Sequence, residues 1–159
     1  MKDYLGAKFT SDFYTNEALI TAFDYNSLEP RFFSKYFANM NPEIYNVTIG
    51  DSTGASSAAP TYFDPKRTKN AYGFTELQVD GGIICNNPSL YAYQLAKLLN
   101  RKENIRILSI GTGEKPFIPF TSAKQMGKLS WMKRVDEFMM NMDVHAVEYY
   151  LKNIAYANN

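Results

Sequence analysis

The alternation of apolar and polar residues along this chain predicts short strands interspersed with helices. Three short runs rich in apolar and β-branched residues predict strands: 18–23, 76–79 and 105–110, the last being the strongest. Runs with small residues or with apolar residues at helical spacing predict three helices: 55–59, 88–100 and 128–156. This order of elements is typical of an α/β domain, and no internal repeat or low-complexity tract interrupts it.

Two further segments give weaker signals. The aromatic-rich run 30–37 fits either an extended segment or a short helix, since its periodicity does not decide between them. The stretch 64–73 carries several basic residues and a proline, which predicts a solvated loop. The start of the helix at 88 is clearer, because Asn87 suits the N-cap and Pro88 suits the first helical position.

Composition and charge narrow the range of functions. The 159 residues include 17 Lys and Arg against 16 Asp and Glu, and this formal charge of +1 disfavours nucleic acid as a partner. The lone cysteine, Cys85, excludes an internal disulfide framework and fits a reducing compartment. Neither residues 1–10 nor the longest uncharged run, 81–96, has the character of a signal peptide or a membrane span. We therefore expect a packed cytoplasmic domain that is open to peripheral contact with membranes.

The sequence Asp80-Gly81-Gly82 is the main candidate for a functional site. It follows the predicted strand 76–79, and the loops that follow strands are where the sites of α/β sheets are built. The two glycines would allow a sharp turn with φ angles closed to other residues, leaving the Asp80 carboxylate exposed. On spacing alone, the same pattern also fits an ordinary turn or cap.

Four segments, in this order and spacing, resemble the patatin-like family of lipid acyl hydrolases. They are Ile-Thr-Ala-Phe-Asp with Phe-Phe-Ser (20–34), Ala-Ser-Ser-Ala-Ala-Pro-Thr-Tyr-Phe (55–63), Val-Asp-Gly-Gly with Asn-Asn-Pro (79–88) and Leu-Ser-Ile-Gly-Thr-Gly (108–113). The resemblance extends over about residues 18–150. It implies an α/β fold in which a mixed, mostly parallel sheet is flanked by helices.

The resemblance also implies a mechanism. Members of that family cleave acyl esters of phospholipids or neutral lipids with a serine–aspartate dyad that needs no histidine, metal or cofactor. The match assigns the aspartate to Asp80, in an Asp-Gly-Gly motif with Gly81 and Gly82. A carboxylate in hydrogen-bond range can take the proton of the serine, and N–H groups of a glycine-rich loop would stabilise the oxyanion. We therefore expect a lipid acyl ester as the substrate.

The chain departs from the family ahead of the first matching segment. Only 17 residues precede Ala18, whereas the family's oxyanion loop and serine elbow lie upstream of that region. We therefore expect residues 1–159 to be the C-terminal part of a patatin-like domain, without its front strands and inactive alone. An unpaired sheet edge and an exposed apolar face would favour self-association. The alternative is a non-catalytic protein that binds lipid or a partner through the remains of the cleft.

A second serine motif offers a further alternative. Residues 50–54 satisfy Gly-x-Ser-x-Gly around Ser52, follow a short apolar run and precede the predicted helix at 55–59. Together with Asp80 and His145, Ser52 would reproduce the Ser, Asp, His chain order of α/β-hydrolases. The resemblance places no nucleophile there, and His145 has the setting of a boundary residue in a helix.

Overall fold

The structure, a computed structural model, describes residues 8–13, 17–99, 104–113, 127–132 and 134–157. The chain divides into two compact units, residues 1–86 and residues 87–159. All strands of the described residues belong to the first unit. The second unit contains three described helices.

The first unit contains a four-stranded antiparallel sheet. Its strands are β1 (Ile20–Asp24), β2 (Glu29–Phe33), β3 (Lys66–Lys69) and β4 (Thr75–Asp80), in the order β2-β1-β4-β3. Tight turns at 25–28 and 70–74 join β1 to β2 and β3 to β4, so each of these pairs must run antiparallel. β4 also pairs antiparallel with β1. The described strands therefore do not form the mostly parallel sheet that the sequence resemblance implies, although the combination of sheet and helices is α/β.

Two of the predicted strands are confirmed and one predicted loop is wrong. The runs 18–23 and 76–79 form β1 and β4, with ends that differ by one or two residues. The predicted loop 64–73 contains β3, in which Arg67 and Lys69 are exposed on either side of a buried threonine. Basic side chains are common on edge strands because they deter pairing with other chains. The same side chains make this strand look like a loop in the sequence.

The segment 30–37 contains both of the structures that its sequence fits. β2 ends inside it, and helix α1 (Lys35–Met40) follows after one residue. That residue, Ser34, caps the helix, because its hydroxyl oxygen accepts a hydrogen bond from the Phe37 N–H (3.1 Å). A short helix α2 (Pro42–Tyr45) comes next.

Helix α3 (Ile49–Ser56) packs against the sheet and closes the core of the first unit. The buried side chains of this core are Ala22, Phe33, Val47 and Ala55. The predicted helix 55–59 covers only the end of α3. The helix begins earlier because the Thr48 hydroxyl oxygen caps it by accepting a hydrogen bond from the Asp51 N–H (3.0 Å).

The second unit consists of helices α4 (Ser89–Leu99), α5 (Lys128–Met132) and α6 (Val135–Ala157). The helix predicted at 88–100 is confirmed, and Asn87 acts as its cap, since Asn87 Oδ1 accepts a hydrogen bond from the Ser89 N–H (3.1 Å). Two helices, α5 and α6, occupy the range 128–156 for which the sequence predicts one. Within the described ranges, no helix is long and apolar enough to cross a membrane.

The strongest strand signal in the sequence, 105–110, is wrong as a prediction of a strand. Residues 104–113 have no regular secondary structure, and no backbone in the described part of the chain pairs with them. Leu108 and Ile110 are 84% and 83% exposed. An apolar run becomes a strand only where a neighbouring backbone satisfies its N–H and C=O groups, and this segment has no such neighbour among the described residues.

Candidate functional site

Asp80 lies at the carboxyl end of β4, opposite Ala22 of β1. Its backbone N–H donates to the carbonyl oxygen of Ala58 (3.0 Å). Its carboxylate oxygen Oδ1 accepts a hydrogen bond from the Gly82 N–H (2.7 Å), so Asp80 caps the single 3-10 turn Gly81–Ile83. The half-buried carboxylate is thus held by one oxygen, and no described residue donates to Oδ2.

Gly81 is required by a close approach of two backbones. A Cβ atom at this position would overlap the carbonyl group and the Oγ1 of Thr21 in β1. Only a residue without a side chain lets the turn after Asp80 sit directly against that strand. The contact between Gly81 and Thr21 was not predicted, because the sequence carries no signal for the pairing of β1 with β4.

The geometry corrects the reason that the sequence suggests for the two glycines. Among the described glycines, only Gly73 and Gly113 have positive φ, so neither Gly81 nor Gly82 adopts a conformation closed to other residues. A Cβ at Gly82 would lie 3.2 Å from Asp80 Oδ1, closer than most real contacts of this kind. Both glycines therefore serve by leaving space, one for a backbone and the other for the Asp80 carboxylate.

Ser52 does not have the setting of a nucleophile. It lies inside α3 and is fully buried, and its hydroxyl donates to the carbonyl oxygen of Ile49 (2.9 Å). A nucleophile elbow needs a sharp strand-to-helix turn that exposes the hydroxyl, whereas residues 50–54 form regular helix. The Ser52 alternative is therefore wrong. His145, its third member, lies on α6 with an exposed side chain. Cys85 is buried.

A buried ion-pair network ties together β1, β2 and β4, the strand that ends in Asp80. The Arg31 guanidinium donates to Glu76 Oε1 (2.8 Å) and to Asp24 Oδ2 (3.1 Å), and the three side chains are at most 10% exposed. Burial by itself would lower the pKa of Arg31. The hydrogen bond and charge of Glu76, aided by Glu29 and Asp24, outweigh burial and raise that pKa above its ordinary value.

Gln78 extends this network along β4. Its Nε2 donates to Glu76 Oε2 (2.8 Å), while its Oε1 is buried and has no partner among the described residues. Glu76, Gln78 and Asp80 alternate along the strand and therefore face the same side of the sheet. The sequence does not predict this network, because charged residues in a strand usually indicate exposure. The one available signal is that polar residues occupy every second position of β4.

The sequence of the chain is similar to those of plant and bacterial proteins. The chain is 30% identical to patatin-like protein 1 of Oryza sativa subsp. indica over 178 aligned positions, which cover 92% of the chain and 42% of the relative. It is 31% identical to patatin-like protein 1 of Arabidopsis thaliana over 134 positions, 72% of the chain and 32% of the relative.

A bacterial relative matches a shorter stretch. The cUMP-AMP-activated phospholipase of Escherichia coli is 34% identical over 74 positions, 45% of the chain and 23% of the relative. No protein-family model matches the chain. The chain spans 32% and 42% of the length of the two plant relatives, so they are considerably longer than the matched region.

Proposed function

The chain belongs to the patatin-like phospholipase family, and from this we propose that it carries the catalytic aspartate of a lipid acyl hydrolase, with Asp80 in that role. The observation that supports the assignment is the setting of the Asp80 carboxylate. It stands at a strand end, is fixed through Oδ1 by the Gly82 N–H (2.7 Å), and lies on a turn pressed against β1. A group fixed by one oxygen can offer the other to a reacting partner.

The proposed chemistry is ester hydrolysis by a serine–aspartate dyad. Asp80 Oδ2 accepts the proton of a serine hydroxyl while the serine oxygen bonds to the ester carbonyl carbon. Collapse of the tetrahedral intermediate breaks the ester C–O bond, and the proton passes from Asp80 to the departing alcohol. Water then attacks the acyl-serine carbonyl carbon while Asp80 accepts its proton. The C–O bond to serine breaks, the proton passes from Asp80 to the serine oxygen, and the fatty acid is released.

The described residues do not supply the serine nucleophile of this dyad. We assign the serine and the oxyanion donors to another segment. The chain's own Gly-x-Ser-x-Gly sequence is a buried stretch of α3, and Asp80 has no serine among its described hydrogen-bond partners. The 159-residue chain is therefore expected to leave lipid esters uncleaved when it is assayed alone.

Joining the chain to a relative tests this proposal. The part of rice patatin-like protein 1 that precedes its matched region is fused ahead of this chain, and release of fatty acid from phosphatidylcholine is measured. The fusion should hydrolyse the lipid, and Asp80→Asn should reduce the rate by about 10²–10⁴-fold, the usual contribution of a general base. Asp64→Asn, which removes an exposed carboxylate of the same unit, is the matched control and should leave the rate unchanged.

Three results would contradict the proposal. Asp80→Asn could retain activity within a few-fold of the parent fusion, or the 159-residue chain could turn over substrate by itself. A fusion that binds lipid vesicles without hydrolysing them would favour the non-catalytic lipid-binding alternative.

A further inference from the structure

A turn of aromatic residues projects from the first unit at the end of the sheet where Asp80 lies. The N–H groups of Tyr62 (3.1 Å) and Phe63 (2.9 Å) both donate to the carbonyl oxygen of Ala59, which closes the turn. The preceding carbonyl, that of Ala58, accepts the Asp80 N–H (3.0 Å). The residue that accepts the hydrogen bonds of the turn, Ala59, therefore directly follows the residue that is hydrogen-bonded to the backbone of Asp80.

The surroundings of this turn are apolar and exposed. Tyr62 is 82% exposed and Phe63 is 65% exposed, although both side chains are large. Ile83, in the 3-10 turn that Asp80 caps, is 47% exposed. These three residues are here called the apolar rim. Two of them follow Ala58 in the chain and the third follows Asp80, so both segments expose apolar side chains. Isolated exposed apolar residues are ordinary, whereas several of them on two segments that are hydrogen-bonded to each other at Asp80 point to an interaction surface.

The turn also contains backbone strain. Thr61 has φ +74°, a conformation that β-branched residues rarely adopt. Strain of this kind is found mostly at functional sites, where the surrounding structure holds it in place. Here the strained residue directly precedes the two exposed aromatic residues, Tyr62 and Phe63.

We propose that the apolar rim contacts a lipid surface and presents its acyl esters to Asp80. This inference rests on the proposed function, since it is the assignment of ester hydrolysis to Asp80 that requires lipid to reach this end of the sheet. Tyr and Phe suit the boundary between water and hydrocarbon, because tyrosine combines an apolar ring with a polar hydroxyl. The occupant of the rim is therefore the headgroup region of a bilayer.

Charge contributes little to this contact. Lys66 lines a shallow cavity of about 410 Å³ together with Phe63, and its Nζ is paired with Asp51 Oδ1 (2.9 Å). The cavity lining also includes one acidic and one further basic residue, Asp64 and Arg67, both exposed. The chain as a whole carries a formal charge of +1. Binding through aromatic side chains is expected to resist salt, whereas binding through surface charges is screened by it.

The same sheet supplies a matched control surface. Tyr72 and Phe74 lie in the turn between β3 and β4, beside Thr75, and so at the opposite end of β4 from Asp80. They are 67% and 60% exposed, close to the values of the rim aromatics. If vesicle binding depended only on general surface hydrophobicity, removing the aromatic side chains at either end of β4 would weaken it equally.

Co-sedimentation of the 159-residue chain with phosphatidylcholine vesicles tests the proposal. The double variant Tyr62→Ser with Phe63→Ser should bind about tenfold more weakly than the unchanged chain, because two aromatic side chains no longer leave water. Tyr72→Ser with Phe74→Ser should bind like the unchanged chain. Binding should also persist as the salt concentration rises from about 0.1 M to about 1 M. Pelleting without vesicles is subtracted throughout.

The outcomes separate this inference from the proposed function. Vesicle binding that depends on the rim, in a fusion that fails to hydrolyse lipid, would support the rim and refute the dyad. Equal loss in the two aromatic double variants, unchanged binding by the Tyr62/Phe63 variant, or release by salt would overturn the rim. It would also be overturned if light scattering showed a dimer that only the Tyr62/Phe63 variant dissociates, because the occupant would then be a second copy.

Discussion

Gly81 and Gly82 stand side by side after Asp80, yet only Gly81 faces a fixed backbone. A Cβ at position 81 would overlap the main chain of Thr21, which is paired with Phe32 of β2 within the sheet. At position 82 the nearest atom, at 3.2 Å, is a carboxylate oxygen of Asp80, the movable end of a side chain. A side chain at position 81 should therefore affect the stability of the turn, whereas one at position 82 should affect the geometry of the Asp80 carboxylate.

The corresponding alanine variants should behave differently. Gly81→Ala is expected to lower the free energy of unfolding by about 3 kcal/mol, because the added methyl group forces the turn away from β1. Gly82→Ala should change it by less than about 1 kcal/mol, since alanine also restricts the unfolded chain. Urea-induced unfolding followed by circular dichroism measures both values, and equal losses would contradict the steric account.

At the scale of elements, the sheet is joined across its strands by charge as well as by apolar contact. Arg31 of β2 reaches Asp24 of β1 and Glu76 of β4, and all three side chains are removed from water. A buried cation that satisfies two buried carboxylates is costly to remove, because the carboxylates remain in the interior without a partner charge. The position of β4, and so of Asp80 at its end, depends on this network.

Removing the cation tests that dependence. Arg31→Leu should lower the free energy of unfolding by about 3–5 kcal/mol, since Asp24 and Glu76 are left buried without a counter-charge. Lys66→Leu is the matched control, because the Lys66 and Asp51 side chains are 39% and 26% exposed and such a pair contributes less than about 1 kcal/mol. The same urea titration compares them, and an Arg31→Leu loss no larger than the control would show that the network is dispensable.

The sequence predicted those elements whose signals are local. β1, β4 and α4 follow from apolar patterning and from the Asn87 cap, and the position of Asp80 after a strand follows with them. β3 was missed because its basic side chains mask a strand that forms only by pairing with β4. The turn after Asp80 and the Arg31 network were missed for the same reason, since each joins residues far apart in the chain.

At the scale of the whole molecule, residues 105–110 are an apolar segment without regular secondary structure. They have an apolar pattern on both faces, which is typical of a strand covered on each side, yet they pair with no described backbone. The outer strands of the sheet are better protected, because β3 carries Lys66, Arg67 and Lys69 and β2 carries Pro30. Self-association of the isolated chain should therefore proceed through 105–110 and not through the sheet edges.

Lysine substitutions in this segment should make the chain more monomeric. Leu108→Lys with Ile110→Lys introduces two charges at side chains that are 84% and 83% exposed, so folding should be retained while strand pairing between copies is opposed. Tyr156→Lys, at an 81% exposed position on α6 of the same unit, controls for added charge. Light scattering after size exclusion should give a mass that falls toward the monomer only in the Leu108/Ile110 variant. A monomeric parent chain, or equal masses in both variants, would show that the exposed run does not drive association.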